Sequence, residues 1–121
     1  MVILVIDDDR ELCEGLAEYL SLQGYAVQCA TNGREALGLL ADSQNRPALV
    51  LLDLMMPVLD GWGFLAARRR DPRLADLPVI ILSGCHDVTQ KARDAGAVAV
   101  VRKPVEPRAL LRVIEHFAEQ A

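Results

Sequence analysis

No apolar stretch in this chain approaches the roughly 18 residues that a membrane-spanning helix requires. No charged-then-apolar leader precedes the first apolar run, so neither secretion nor membrane insertion is expected. Basic residues are not in excess. The 13 Lys and Arg stand against 17 Asp and Glu, a net charge of -4, so there is no electrostatic case for direct nucleic-acid binding. The one local basic run, Arg68-Arg69-Arg70, reads as a solvated helix end, because cations favour helix C-termini. Cysteine is scarce. Cys13, Cys29 and Cys85 are odd in number and unpatterned, which predicts reduced thiols and a cytoplasmic setting. Internal repeats, linkers and low-complexity segments are also missing, so nothing divides the chain.

What is there fits one globular domain over 1–121, with 52% apolar and 25% charged residues to build a core and a surface. Four short β-branched runs punctuate it: VILVI (Val2–Ile6), ALVLL (Ala48–Leu52), VIIL (Val79–Leu82) and AVAVV (Ala97–Val101). A fifth strand is read at Tyr25–Cys29. Helical patterns lie between them. The first runs from Glu11 to Gln23, with Leu12, Leu16 and Leu20 stacked on one face and Gly24 as its left-handed stop. Asp9 suits its N-cap. Asn32 with Glu35 marks the start of the second helix, and Asp87 with Gln90 the fourth. The third follows Asp60-Gly61 and exits at Asp71-Pro72. Pro107 opens the fifth, where Leu110, Val113, Ile114 and Phe117 form one stripe. Strand and helix in alternation predict an α/β three-layer sandwich with a parallel sheet.

Three of the runs end in a polar group of one chemical set. The first meets Asp7, Asp8 and Asp9; the second meets Asp53; the third meets Ser83-Gly84. The fourth leads through Arg102 to Lys103-Pro104. Ligands of open α/β sheets bind at the carboxyl ends of the strands. Carboxylates, a hydroxyl and an ammonium are therefore expected on one edge of the sheet. Carboxylates that crowd together call for a cation. An oxygen-rich site with few protein ligands suits Mg2+, with Mn2+ as an alternative.

The motifs LVIDDD (Leu4 to Asp9), LLDLMMPVLDG (Leu51 to Gly61), ILSG (Ile81 to Gly84), DAGA (Asp94 to Ala97) and Lys103-Pro104 occur in order over essentially the whole chain. Together they resemble the receiver domains of two-component response regulators, of the chemotaxis-regulator kind. The resemblance implies a flavodoxin-like (βα)5 fold with strand order 2-1-3-4-5. It implies a phospho-acceptor function rather than a multi-turnover enzyme. By this resemblance Asp53 takes phosphate from a phosphohistidine of a sensor histidine kinase or phosphotransfer protein. Asp8 binds Mg2+ directly, Asp7 mainly through water, and Asp53 with the Met55 carbonyl completes the protein ligands. Ser83 hydrogen-bonds the phosphoryl group, the Gly84 N–H can face it, and Lys103 pairs first with Asp53 and then with phosphate. The Lys103-Pro104 bond is often cis in the family. The output passes to a downstream protein or a fused effector.

Two departures touch the output. Val100 stands where the family usually carries Tyr or Phe, and the interval from Ser83 to Gly96 leaves room only for a brief fourth helix with a thin apolar stripe of Val88, Ala92 and Ala95. A phosphohydrolase of the haloacid dehalogenase type also places Asp-x-Asp after its first strand, a spacing that Asp7 and Asp9 satisfy. The hydroxyl residue usual shortly after is missing here, and the chain is short for that fold. A phosphorylation-independent interaction module would not need the complete acidic set. Near the site, His86 reads as a solvated loop residue, Cys85 shows no sign of activation, and Trp62 is expected to pack partly at the surface.

Overall fold

Strand and helix alternate in strict sequence along the computed structural model, which describes residues 1–42, 44, 46–84 and 87–118. The order is β1 (Val2–Ile6), α1 (Arg10–Leu22), β2 (Ala26–Ala30), α2 (Gly33–Leu40), β3 (Leu49–Asp53), α3 (Gly61–Arg70), β4 (Val79–Ser83), α4 (Thr89–Asp94), β5 (Ala99–Arg102) and α5 (Pro107–Ala118). The strands form one parallel sheet in the order β2-β1-β3-β4-β5, the expected flavodoxin-like arrangement. β1, β3 and β4 lie in its interior and are covered on both faces. This is why they read as unbroken apolar runs rather than alternating ones.

The period-2 pleat splits those runs between two cores. Leu4, Ile6, Val50, Leu52, Val79 and Ile81 face α2, α3 and α4 through Ala36, Leu40, Phe64, Leu65 and Ala92. Ile3, Val5, Leu49, Leu51, Ile80 and Leu82 face α1 and α5 through Cys13, Leu16, Leu20, Leu110 and Ile114. Burial of this kind contributes about 25 cal/mol per Å2 of apolar surface removed from water.

Local signals set most boundaries. Asp9 caps α1 by accepting from the Leu12 N–H at 3.1 Å, and Asn32 caps α2 by accepting from Glu35 at 2.8 Å. Gly24 takes φ 96 after α1, as a left-handed stop requires. β5 begins later than its apolar run because the Ala97 N–H still closes the α4 turn on the Ala92 carbonyl.

Three expectations are corrected. Asp87 does not cap α4: Val88 is the N-cap, without a side-chain bond, while Asp87 sits at φ 61 and Gln90 donates to Asp94 instead. Arg68 is not solvated. It is 4% exposed, and its Nε donates to the Leu77 carbonyl at 3.0 Å, since a buried guanidinium must find acceptors. Cys13 and Cys29 are not free thiols but form a disulfide between α1 and β2, with Cα atoms 6.4 Å apart. Sequence spacing did not reveal this pair, because only the packing of α1 on β2 brings them together. α4 is short, as expected, at 6 residues.

Candidate functional site

Strand register brings the polar run-ends together. Ile6 lies beside Leu52, so the residues that follow, Asp7 and Asp53, leave adjacent strands at the same level. Asp53 is itself opposite Leu82, the residue before Ser83, and Ser83 is opposite Arg102, the residue before Lys103. The Lys103 N–H donates to the Ser83 carbonyl at 2.8 Å, which fixes the β5 exit against β4. The Lys103-Pro104 bond is cis, as the resemblance implied.

Asp7, Asp8 and Asp53 offer carboxylate oxygens that all lie within 4.8 Å of one another. Asp7 is 1% exposed and Asp53 6%, while Asp8 is open to solvent. The turn holding the first pair is fixed by the end of β2 and by the Asp7 side chain itself. Asp7 N–H donates to the Ala30 carbonyl at 3.0 Å, and its Oδ1 accepts from Asp9 N–H at 2.9 Å. Lys103 Nζ reaches across to Asp7 Oδ2 at 3.0 Å and to Asp53 Oδ1 at 3.4 Å. Asp53 Oδ1 also accepts from Met55 N–H at 3.4 Å.

Burial pushes the Asp53 carboxyl above its ordinary value, and the neighbouring Asp7 charge adds to this; Lys103 and the Met55 N–H pull the other way without winning. For Lys103, burial lowers the affinity for its proton, but the bond and charge of Asp7, helped by Asp53, outweigh it and raise the pKa. The two shifts agree once the ammonium is assigned chiefly to Asp7. Asp53 is left only partly compensated. Among the described residues, three carboxylates face one ammonium, and oxygen donors of this kind fit a hard divalent cation.

The loop after Asp53 is held tightly. Gly61 N–H donates to the Leu54 carbonyl, and a Cβ at Gly61 would lie 2.6 Å from the Asp53 carbonyl oxygen, so α3 can start this close only with glycine. Asp60 caps α3 by accepting from Gly63 at 2.8 Å. Met55 is exposed in this loop, and Met56 packs against the core. Val58 centres a γ-turn closed by the Leu59 N–H on the Pro57 carbonyl, with φ 71. Ser83 is buried at the end of β4 and Gly84 is exposed beside it; Cys85 and His86 lie outside the described residues. Trp62 is half-buried beneath Lys91, whose Nζ is 4.4 Å from the ring centre.

The profile of the response regulator receiver domain matches residues 3–115. The chain belongs to that family. This receiver domain is 42% identical over 111 residues to response regulator MprA of Mycolicibacterium vanbaalenii, covering 90% of this chain but 46% of that protein. It is 35% identical over 128 residues to the DNA-binding dual master transcriptional regulator RpaA of Synechocystis, covering 98% of this chain and 52% of that protein. The receiver domain thus spans about half the length of the curated relatives it matches. Among solved structures it resembles chemotaxis response regulator CheY4 of Vibrio cholerae, with a TM-score of 0.85, 28% identity and coverage of 96% of this chain and 97% of that one. It also resembles the signal receiver domain of a signal transduction histidine kinase from Syntrophus aciditrophicus, with a TM-score of 0.87, 30% identity and coverage of 99% and 91%. Asp7, Asp8, Asp53 and Lys103, singled out from the sequence, come together at one edge of the sheet. What the sequence reading missed is Asp7 as the closer partner of Lys103, since spacing alone ranks neither carboxylate.

Proposed function

We propose that residues 1–121 act as one phospho-acceptor receiver in the cytoplasm, with Asp53 as the acceptor. The observation that carries this reading is the Asp53 carboxyl, buried at the end of β3 between Asp7 and Lys103 and only partly compensated by the ammonium. Its oxygen attacks phosphorus, the bond from phosphorus to the imidazole nitrogen of a partner phosphohistidine breaks, and an acyl phosphate forms. The partner is a sensor histidine kinase or a histidine phosphotransfer protein. Asp7, Asp8, Asp53 and the Met55 carbonyl would hold Mg2+, which supplies charge neutralisation for the transferring oxygens when bound. Lys103 donates to a phosphoryl oxygen, and Ser83 Oγ and the Gly84 N–H address the others. Slow hydrolysis of the acyl phosphate resets the domain. The signal goes to a downstream protein or fused effector, without membrane or direct nucleic-acid contact by this domain.

The test is incubation with acetyl phosphate and Mg2+, borohydride trapping of the acyl phosphate and mapping by mass spectrometry. The label is expected on Asp53 and absent from Asp53→Asn. A label on Asp7 would instead support the dehalogenase-like phosphohydrolase, and a label that survives in Asp53→Asn would overturn the assignment.

A further inference from the structure

Cys13 and Cys29 sit on the two elements that anchor the acidic turn. Cys13 N–H donates to the Asp9 carbonyl at 3.1 Å, and the carbonyl of Ala30, next to Cys29, receives the Asp7 N–H at 3.0 Å. Their disulfide joins the start of α1 to the end of β2, an edge strand with one partner in the sheet. The two cysteines differ in access. Cys29 is exposed, whereas Cys13 is 4% exposed and packs in the core with Leu16 and Leu20.

We propose that Cys13 and Cys29 form a redox-switched staple that sets the rigidity of the Asp7–Asp9 turn, with Cys29 as the attacking thiol and Cys13 as the resolving one. The oxidant is a low-molecular-weight disulfide, RSSR. The Cys29 thiolate attacks one of its sulfurs, the RS–SR bond breaks, and one thiolate leaves to take up a proton. Cys13, losing its proton, then attacks the Cys29 sulfur of the mixed disulfide and releases the second RSH. Two protein thiols are oxidised by two electrons, and RSSR is reduced to two thiols. The reverse sequence also begins at Cys29, the exposed residue of the pair. Closure ties β2 to α1 on either side of the acidic turn and removes freedom from the unfolded chain. Closing or opening the staple requires no phosphoryl group on the domain.

The test uses the whole chain carrying Cys85→Ser, equilibrated in buffers of reduced and oxidised glutathione. Mass spectrometry after maleimide labelling should show two labels in the reduced form, with Cys29 labelled first, and none in the oxidised form. The oxidised form should melt roughly 10 °C higher. Its amides at Asp7 to Asp9 should exchange several-fold more slowly. In Cys13→Ser, one glutathionyl group should remain on Cys29 as a mixed disulfide, its other half released as reduced glutathione, and the exchange difference should vanish. Cys29→Ser, which keeps the buried residue intact, should likewise lose the difference. Two freely labelled thiols at every redox poise, a disulfide that leaves turn exchange unchanged, or a redox response that survives in Cys29→Ser would each overturn the proposal.

Discussion

Lys103 Nζ lies closer to Asp7, at 3.0 Å, than to Asp53, at 3.4 Å. At rest, then, the ammonium belongs mainly to a carboxylate that has no solvent access of its own. Such a pair differs from a surface ion pair, which is worth about 0–1 kcal/mol. Removing the lysine leaves a buried charge without its partner, a loss of roughly 1–3 kcal/mol. Lys103→Ala is therefore expected to lower stability by about that amount, and Asp7→Asn in the same chain should recover much of it. The raised lysine pKa fixes the pH sense. The contribution is fully present below the ordinary lysine value of 10.5 and fades as pH rises through the higher folded value. Urea unfolding of the two single variants and the double variant measures the coupling. Additive effects would show that the pair does not hold.

Asp53 carries the opposite sign. Its folded carboxyl keeps its proton more strongly than the unfolded chain does. Its ionised form therefore counts against the fold, increasingly as pH rises from the ordinary carboxylate value of 3.8 through the raised folded value. Without divalent cation, Asp53→Asn should melt above the parent at pH 7, and the gap should close as pH falls below 4 or so. Thermal melts across pH 3 to 8 in a chelating buffer check this. A variant that is equally stable at all pH values would mean the carboxylate is fully compensated.

The acidic cluster should respond to Mg2+ in proportion to its charge. Binding to the folded state alone adds about 2.7 kcal/mol at a concentration 100 times the dissociation constant. The parent should thus gain melting temperature with Mg2+, while Asp8→Ala, which removes the exposed carboxylate of the cluster, should gain little. Half-buried Trp62, at the start of α3 beneath Lys91, gives a second readout by fluorescence. Equal titrations for parent and variant would remove Asp8 from the ligand set.

The loop after β3 holds strain that can be relieved. Val58 is β-branched, yet it occupies φ 71 at the centre of its γ-turn. A left-handed conformation costs a side-chain-bearing residue roughly 1–2 kcal/mol. Glycine removes that cost but loses more entropy on folding, by about 0.5–1 kcal/mol. Val58→Gly should come out stabilising, by a fraction of a kcal/mol to about 1 kcal/mol, in denaturant unfolding. A clear loss of stability would show that the Val58 side chain, although exposed, packs more than its surroundings suggest.

Features written into local sequence were legible without the fold. Apolar runs gave the strands, Asp9 and Asn32 gave two caps, and Gly24 gave a stop. The convergence of the run-ends was legible because parallel strands of similar length present their carboxyl ends on one edge. What stayed hidden depends on contacts between distant elements. The Cys13–Cys29 pair needs α1 laid on β2, and the burial of Arg68 needs the Leu77 and Gly96 carbonyls brought under α3. The preference of Lys103 for Asp7 turns on differences of tenths of an ångström. Asp87 misled because a capping pattern does not reveal that the backbone there is left-handed.

A charge placed at Asp53 can be read by a partner only where it moves the surface. A phosphoryl group can shift a surface only if that surface has two arrangements that differ in affinity for it. Val100 is half-buried on β5 and cannot swing as an aromatic ring would. Beside it, a cleft of about 290 Å3 lies between β5 and the short α4, lined by Ala92, Arg93 and Ala97 among others. Bound beryllofluoride, a mimic of the phosphoryl group, should therefore protect amides mainly at Met55 to Gly61 and near Ser83-Gly84. Changes at Val98 to Val101 and in α5 should be small. Val100→Tyr has room to lie in the cleft, and it should enlarge the response at β5 without changing acetyl phosphate labelling of Asp53. Hydrogen exchange with and without the mimic, on parent and variant, decides the matter. Protection at Val98 to Val101 in the parent that equals or exceeds that at Met55 to Gly61 would show that this face switches without an aromatic lever.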